Sequence, residues 1–325
     1  MKALIFTEYG PPDVLQIKEV DTPVPKADEV LIKVHAVSIN DWENGLSSGK
    51  PYFMRYFTGL FKPKPAFQIP GCDVSGHVEK VGSEVTRFQL GDEVYGDLCE
   101  SGFGSFAEYA RAKETSLEFK PAGMTFEQAA AIPQAAQLAI DAIIDIGKLQ
   151  PGQKLLINGA GGGVGTFGVQ FAKEIGAEIT VVDLAEKLPI LKELGADFVI
   201  DYQQDDFAKS KKKYDLIVDT KTSRYPWNCV RALNDSGMYA TVGGSMWRIF
   251  IALFYWPWLA VTSKKKYRMV VQKPNQGLSL VNKMFEAGKL KPVIDGPFKF
   301  IDIVDALKYF ATAKHKGKVI VTMIE

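Results

Sequence analysis

The stretch Lys154–Lys173 reads KLLINGAGGGVGTFGVQFAK. Leu155, Leu156 and Ile157 make an apolar strand that runs into glycines, and the glycines run into a helix with apolar positions from Phe167 to Ala172. Gly159, Gly162, Gly163 and Gly165, with Ala160 and Val164 among them, omit side chains where a polyphosphate must approach the backbone. The first turn of the helix offers that phosphate free N–H groups and the positive end of its dipole. A second strand, Ile179–Asp183, follows at the interval a βαβ unit requires. A glycine run alone is a weak signal, but a strand before it and a helix after it make it a dinucleotide-binding loop.

Outward from that loop the chain divides in two. Its 325 residues, 46% of them hydrophobic, suffice for about two domains with real cores. Up to about Pro121 the sequence is rich in short strands and in turns such as Gly10-Pro11-Pro12 and Pro70-Gly71. Thr125 is a helix N-cap ahead of Phe126–Ala131, and Pro133 breaks the chain before a second helix around Ala135–Ile146. Strands and helices then alternate: Leu155–Asn158, Val164–Gly176, Ile179–Asp183, Glu186–Leu194, Phe198–Asp201, Leu216–Asp219, Trp227–Leu233 and Met238–Val242. That order predicts an α/β fold with a doubly wound parallel sheet. From Gly296 the character reverts, with an extended Phe298–Ile301, a helix Asp302–Ala311 and a last strand Val319–Met323. The tail is expected to rejoin the first domain, so that residues 1–124 and 296–325 form one discontinuous domain around an inserted dinucleotide domain, 125–295.

Charge is balanced, 39 basic residues against 38 acidic, which gives no general attraction to nucleic acid or to an anionic membrane. Cys72, Cys99 and Cys229 stand far apart in sequence, too few for a disulfide framework and without CxxC spacing for a metal. The opening MKALIF reads as a strand, not a signal peptide, so a cytoplasmic protein is expected.

The string Gly152–Lys173 resembles the quinone oxidoreductase (zeta-crystallin-like) signature of the medium-chain dehydrogenase/reductases, through Gly152-Gln153, Ala160-Gly161-Gly162-Gly163, Gly165, Gln170 and Lys173. PGCDVSGHVEKVG (Pro70–Gly82), FQLGDEVYG (Phe88–Gly96), GSFAEYA (Gly104–Ala110), ELGADFVIDY (Glu193–Tyr202) and GKVIV (Gly317–Val321) extend the likeness over nearly the whole chain. The resemblance implies a GroES-like β-rich catalytic domain, a Rossmann domain and a nicotinamide cofactor in the cleft between them.

The zinc-dependent branch of that superfamily holds its metal with a Cys, a His and a further Cys or Asp. Here Ile39-Asn40 stands where the first Cys would lie, Cys72 stands where the His would, and AIPQAAQLAI offers no Cys at all. One thiol cannot make the three-ligand site that catalytic zinc needs, so no metal is expected. Hydride delivery to an already electrophilic carbon then fits best, as at the β-carbon of an enone or alkenal or on a quinone ring. By the resemblance, Asn40 lies beside the nicotinamide, where its amide would donate to the oxygen on which charge develops; the competing reading is a side chain capping a turn. Relatives continue from this Asn with a Pro and an Asp a few places on, whereas here Asp41 follows at once. In the aromatic loop Lys50–Phe57, Tyr52 and Tyr56 are candidate proton donors, with solvent as the alternative. His35, His77 and His315 read as structural, with no companion acid at readable spacing.

The cofactor signals conflict. Asp183, about 20 residues past the loop, ends the second strand, where a carboxylate accepts from a ribose 2′-hydroxyl and repels a 2′-phosphate, favouring NAD(H). Lys187 and Tyr202 match positions that relatives use around the 2′-phosphate, and two positions against one favour NADP(H). By the same resemblance Val242, Gly243 and Gly244 contact the nicotinamide amide.

Ile249–Val261, IFIALFYWPWLAV, is followed by Lys264-Lys265-Lys266. At 13 residues it is too short to span a bilayer, which takes about 20. The expected role is a pocket wall and subunit contact, with the strand Tyr267–Val271 pairing across a homodimer axis; interfacial membrane contact is the alternative. The leading function is therefore a zinc-independent NAD(P)H-dependent reductase of a small-molecule enone, alkenal or quinone. An alcohol dehydrogenase, or a non-catalytic cofactor-binding, structural or membrane-associated protein, are the other readings.

Overall fold

The structure, a computed structural model, describes residues 1–323. Two compact units emerge: Met1–Gln134 with Pro274–Glu286 and the chain from Pro292 on, and Ala135–Lys273 with Ala287–Lys291.

In the first unit the described residues form a seven-stranded sheet. Its path runs Ile294–Lys299, Lys318–Thr322, Glu29–Ser38, Asp73–Val81, Glu93–Asp97 and Glu118–Phe119, and Tyr109–Lys113 also pairs with Glu29–Ser38. Alternate residues such as Val30, Ile32, Val34, Val74, Val94, Val319 and Val321 build its core. Register decides what meets at one end of this sheet. Ile320 lies opposite Ser38, Val37 opposite Val74, and Asp73 opposite Asp97. Four strand ends therefore bring Ser38, Asp73, Asp97 and Lys318 together, although the chain between them is long.

The boundaries differ from those read off composition. Helix Phe126–Ala130 belongs to the first unit, because Ala130 and Ala131 pack with Ala36 and Ile320, and the Ser75 hydroxyl donates to the Phe126 carbonyl at 2.6 Å. Pro274–Glu286 belongs there too: the Tyr95 hydroxyl donates to Asn282 Oδ1 at 2.5 Å, and the Asp97 N–H donates to Asn275 Oδ1 at 2.7 Å. A composition shift marks where elements change type, and not which core they bury against.

The second unit holds a six-stranded sheet in which every pairing is parallel, ordered Phe198–Asp201, Glu178–Asp183, Lys154–Asn158, Tyr214–Asp219, Leu233–Thr241, Lys266–Met269. This is the doubly wound order, and it reverses between Lys154–Asn158 and Tyr214–Asp219. The central strands are continuously apolar because helices cover both faces of such a sheet: Leu155, Leu156, Ile157, Leu216, Ile217 and Val218 are all buried. Helix Gly163–Ile175 ends as Gly176 turns into the left-handed region at φ 84°. The helix expected around Ala135–Ile146 starts at Pro133 and turns π-helical over Asp141–Ile146. The apolar Ile249–Val261 run lies within a longer helix, Met246–Thr262, and the strand after it, Lys266–Met269, is the sheet's edge.

Candidate functional site

The glycine loop sits at the carboxyl end of Lys154–Asn158, where the sheet order reverses. Each glycine has its own reason. A Cβ on Gly165 would lie 2.3 Å from the Ala160 backbone, so the helix can close on the strand only without one. A Cβ on Gly161 would meet Lys187 Cδ at 2.5 Å. At Gly162, by contrast, the nearest atom to such a Cβ is 3.9 Å away, and Gly162, Gly163 and Val164 are only half-buried. The loop is thus packed behind and open in front, where the first-turn N–H groups of a 13-residue helix point. These residues fit the pyrophosphate of a dinucleotide.

Asp183 and Lys187 occupy one buried site. Asp183 Oδ2 accepts the Gly161 N–H at 2.7 Å, Oδ1 accepts the Leu184 N–H at 2.8 Å, and Lys187 Nζ stands 3.9 Å from Oδ1. Tyr202 is exposed, and its N–H donates to the Asp183 carbonyl at 3.3 Å. The carboxylate therefore braces the loop and carries a cation beside it.

Sequence reasoning missed the brace on the other flank. Asp219, fully buried, accepts from Asn158 Nδ2 at 2.8 Å, the Lys221 N–H at 3.0 Å, the Thr222 N–H at 2.8 Å and the Tyr239 hydroxyl at 2.9 Å. The Thr222 hydroxyl donates to the Gly243 carbonyl, and Gly244, at φ 101°, leaves no room for a Cβ against the Lys221 carbonyl. Val242, Gly243 and Gly244 are thereby tied to the turn after Asp219. A buried Asp closing a strand was the signal available for this brace.

In the first unit, Asn40 is buried within a polar cluster. Its backbone N–H donates to Glu43 Oε2 at 2.7 Å, so it does cap helix Asp41–Ser48. Its side chain does something further: Nδ2 donates to Asp73 Oδ2 at 3.0 Å, and Oδ1 accepts from Lys318 Nζ. Lys318 Nζ also stands 3.1 Å from Asp73 Oδ2, which accepts the Ser38 hydroxyl at 2.6 Å, while Asp73 Oδ1 accepts the Gln134 N–H at 3.0 Å. The amide is held in one orientation, with one of its two N–H donors committed to Asp73. Glu43 Oε1 also accepts the Cys72 N–H at 3.2 Å, and burial pushes the Glu43 carboxyl up to about 8. Glu43, Asp73 and Lys318 are further members of the cluster that spacing alone did not reveal.

Tyr52 and Tyr56 are exposed. The Arg55 guanidinium lies over the Tyr52 ring at 5.1 Å, Tyr56 meets Phe57 edge-on, and neither hydroxyl bonds to the Asn40 cluster among the described residues. Strand register brings together two sets of residues that sequence spacing keeps apart. His77 Nδ1 pairs with His35 Nε2 at 2.9 Å and lies near a companion acid, its Nε2 being 3.6 Å from Glu93, because antiparallel register sets His77 opposite Glu93. Cys72 and Cys99, distant in sequence, have their sulfurs 2.9 Å apart, and with Asp97 they place three donor atoms within 4.8 Å of one another. Burial pushes the Cys72 thiol up.

Residues 26–122 match the alcohol dehydrogenase GroES-like domain family, and residues 194–321 match the zinc-binding dehydrogenase family. The chain is 34% identical to a 2-methylene-furan-3-one reductase from Solanum lycopersicum, over 99% of its own length and 79% of that protein. It belongs to the quinone oxidoreductase family of medium-chain dehydrogenase/reductases.

An NADPH-dependent alkenal/one oxidoreductase from Arabidopsis thaliana is 32% identical over 99% of this chain and 79% of its own. The solved quinone oxidoreductase from Coxiella burnetii superposes with a TM-score of 0.87 at 26% identity, covering 100% of this chain and 99% of that one. As a family member this chain is a nicotinamide-dependent oxidoreductase.

Proposed function

We propose that this quinone oxidoreductase relative uses NADPH, without zinc, to reduce the carbon–carbon double bond of a conjugated enone or alkenal, and quinones by the same hydride chemistry. The observation that carries the reading is Asn40, a buried amide fixed between Asp73 and Lys318, whose second N–H no acceptor takes up among the described residues. Bound reduced nicotinamide supplies a hydride. The protein's task is then to stabilise negative charge as it develops on the substrate oxygen, and a pre-oriented amide donor does that at little reorganisation cost. The enolate carbon takes its proton from water or from exposed Tyr52 or Tyr56.

The cofactor preference rests on Asp183 and Lys187. A carboxylate occupied by two backbone N–H groups and a neighbouring ammonium loses much of its repulsion for a 2′-phosphate. The Arabidopsis relative is named as NADPH-dependent, in keeping with this.

The zinc-free reading is supported by the residues at the ligand positions of the zinc-dependent branch: Ile39-Asn40 stands in place of its first Cys, and the stretch Ala131–Ile140 holds no Cys.

Incubating the purified protein with NADPH or NADH and a panel of enones, alkenals, quinones and simple ketones tests the proposal. Turnover confined to simple ketones would replace it with the alcohol dehydrogenase reading.

A further inference from the structure

Helix Met246–Thr262 is anchored by one face only. Ile249, Ala252 and Leu259 are buried, Ala252 in a cluster with Tyr239 and Tyr267, and the Trp256 and Tyr267 rings lie 5.4 Å apart. The opposite face carries Trp247, Phe250, Phe254, Trp258 and Val261, spaced by three and four residues as one stripe, each between 45% and 88% exposed. Arg248 is the helix's one charged residue. Stripes of bulky apolar side chains on this scale mark a surface that is covered in use.

The balanced total charge spoke against a lipid partner, but the fold does not spread that charge evenly. Lys265 Nζ donates to the Val230 carbonyl at 2.8 Å, and Lys213 Nζ donates to the adjoining Arg231 carbonyl. Two lysine runs 51 positions apart, Lys211–Lys213 and Lys264–Lys266, thus converge on one spot at the carboxyl end of the apolar helix. Burial, and after it the neighbouring Lys213, disfavours the charged form of Lys265. Lys211, Lys213, Arg231, Lys264 and Lys266 are exposed, Asp235 is the acid facing Lys265, and Lys212 is paired with Glu178 at 2.9 Å.

We propose that this helix lies in the interfacial plane of an anionic lipid surface, its Trp and Phe face at headgroup depth and the lysines on the lipid charge. The 17-residue helix is about 25 Å long and runs along the unit's surface, and no helix among the described residues is long and apolar enough to cross a membrane. Aromatic residues on one face with lysines flanking them are what interfacial binding requires. A second copy is the poorer occupant, because the same helix across an isologous contact carries no acid to meet those lysines, whereas anionic headgroups do.

The test is flotation of the full chain with phosphatidylcholine vesicles and with vesicles containing phosphatidylglycerol, at low and high salt. Association with the anionic vesicles alone, released by salt, is expected. Phe254→Ser with Trp258→Ser should weaken it at least about tenfold, and each of Lys264→Gln and Lys266→Gln about fivefold, with thermal melts showing that every variant folds. Absence of flotation, or flotation indifferent to both sets of substitutions, overturns the proposal. So does a dimer in sedimentation velocity that the Phe254→Ser, Trp258→Ser variant abolishes while vesicles bind nothing, since the face would then be a self-association surface.

Discussion

Lys187 Nζ lies 3.9 Å from Asp183 Oδ1, and both side chains are buried behind the glycine loop. The two residues that gave opposite cofactor readings are one ion pair. Lys187→Met is therefore expected to raise KM for NADPH about tenfold or more, the scale of a lost charge-assisted bond, while KM for NADH changes far less. Asp183→Asn weakens both cofactors, because the Gly161 N–H loses its charged acceptor. Steady-state kinetics with each cofactor checks this; equal losses in the lysine variant would remove Lys187 from the 2′-phosphate.

Asp73 and Lys318 form a buried ion pair 3.1 Å apart, closed by Ser38, Asn40 and Gln134. Lys318→Met leaves a carboxylate stranded in the core and should cost about 3–5 kcal/mol in urea unfolding. The double change with Asp73→Asn should recover part of that loss. A single variant as stable as the parent would mean the pair is not what holds the cluster.

Glu43 carries its own signature. Its carboxyl is raised by burial, with Asp73 adding to the rise, from the ordinary 4.5 to about 8. Between those values the unfolded chain has released a proton that the folded protein keeps. Stability contributed by this group is therefore greatest at the acid end, declines as pH rises through the window, and levels off above it. Glu43→Gln should flatten that slope, as unfolding midpoints at two bracketing pH values would show. An unchanged slope would place the titration elsewhere.

Much of the fold was legible because it is written locally. The strand, glycines and helix of Lys154–Lys173 sit side by side in sequence, so periodicity and the missing side chains suffice to read them. The cofactor conflict was not legible, since sequence gives the position of Asp183 but not the direction of its carboxylate. The Asn40 cluster depends on antiparallel register: Lys318 is 278 residues from Asn40 and arrives only because Ile320 pairs with Ser38. Cys72 and Cys99 meet for the same reason, as Asp73 pairs with Asp97. The lysine convergence at Val230 and Arg231 likewise exists only once the sheet is assembled.

Chelation should leave the enzyme unaffected. Protein treated with a strong chelator and freed of it is expected to reduce enones at the rate of untreated protein, with no stoichiometric zinc released. Loss of activity restored by zinc would show that Cys72, Asp97 and Cys99 open into a working metal site after all.

The central claim, hydride transfer to the carbon conjugated with a carbonyl, is tested most directly with NADPH deuterated at its transferable position and an acyclic enone. The account predicts a saturated ketone carrying one deuterium on its β-carbon. Deuterium on a carbinol carbon, with the double bond intact, would contradict it and make the protein a carbonyl reductase.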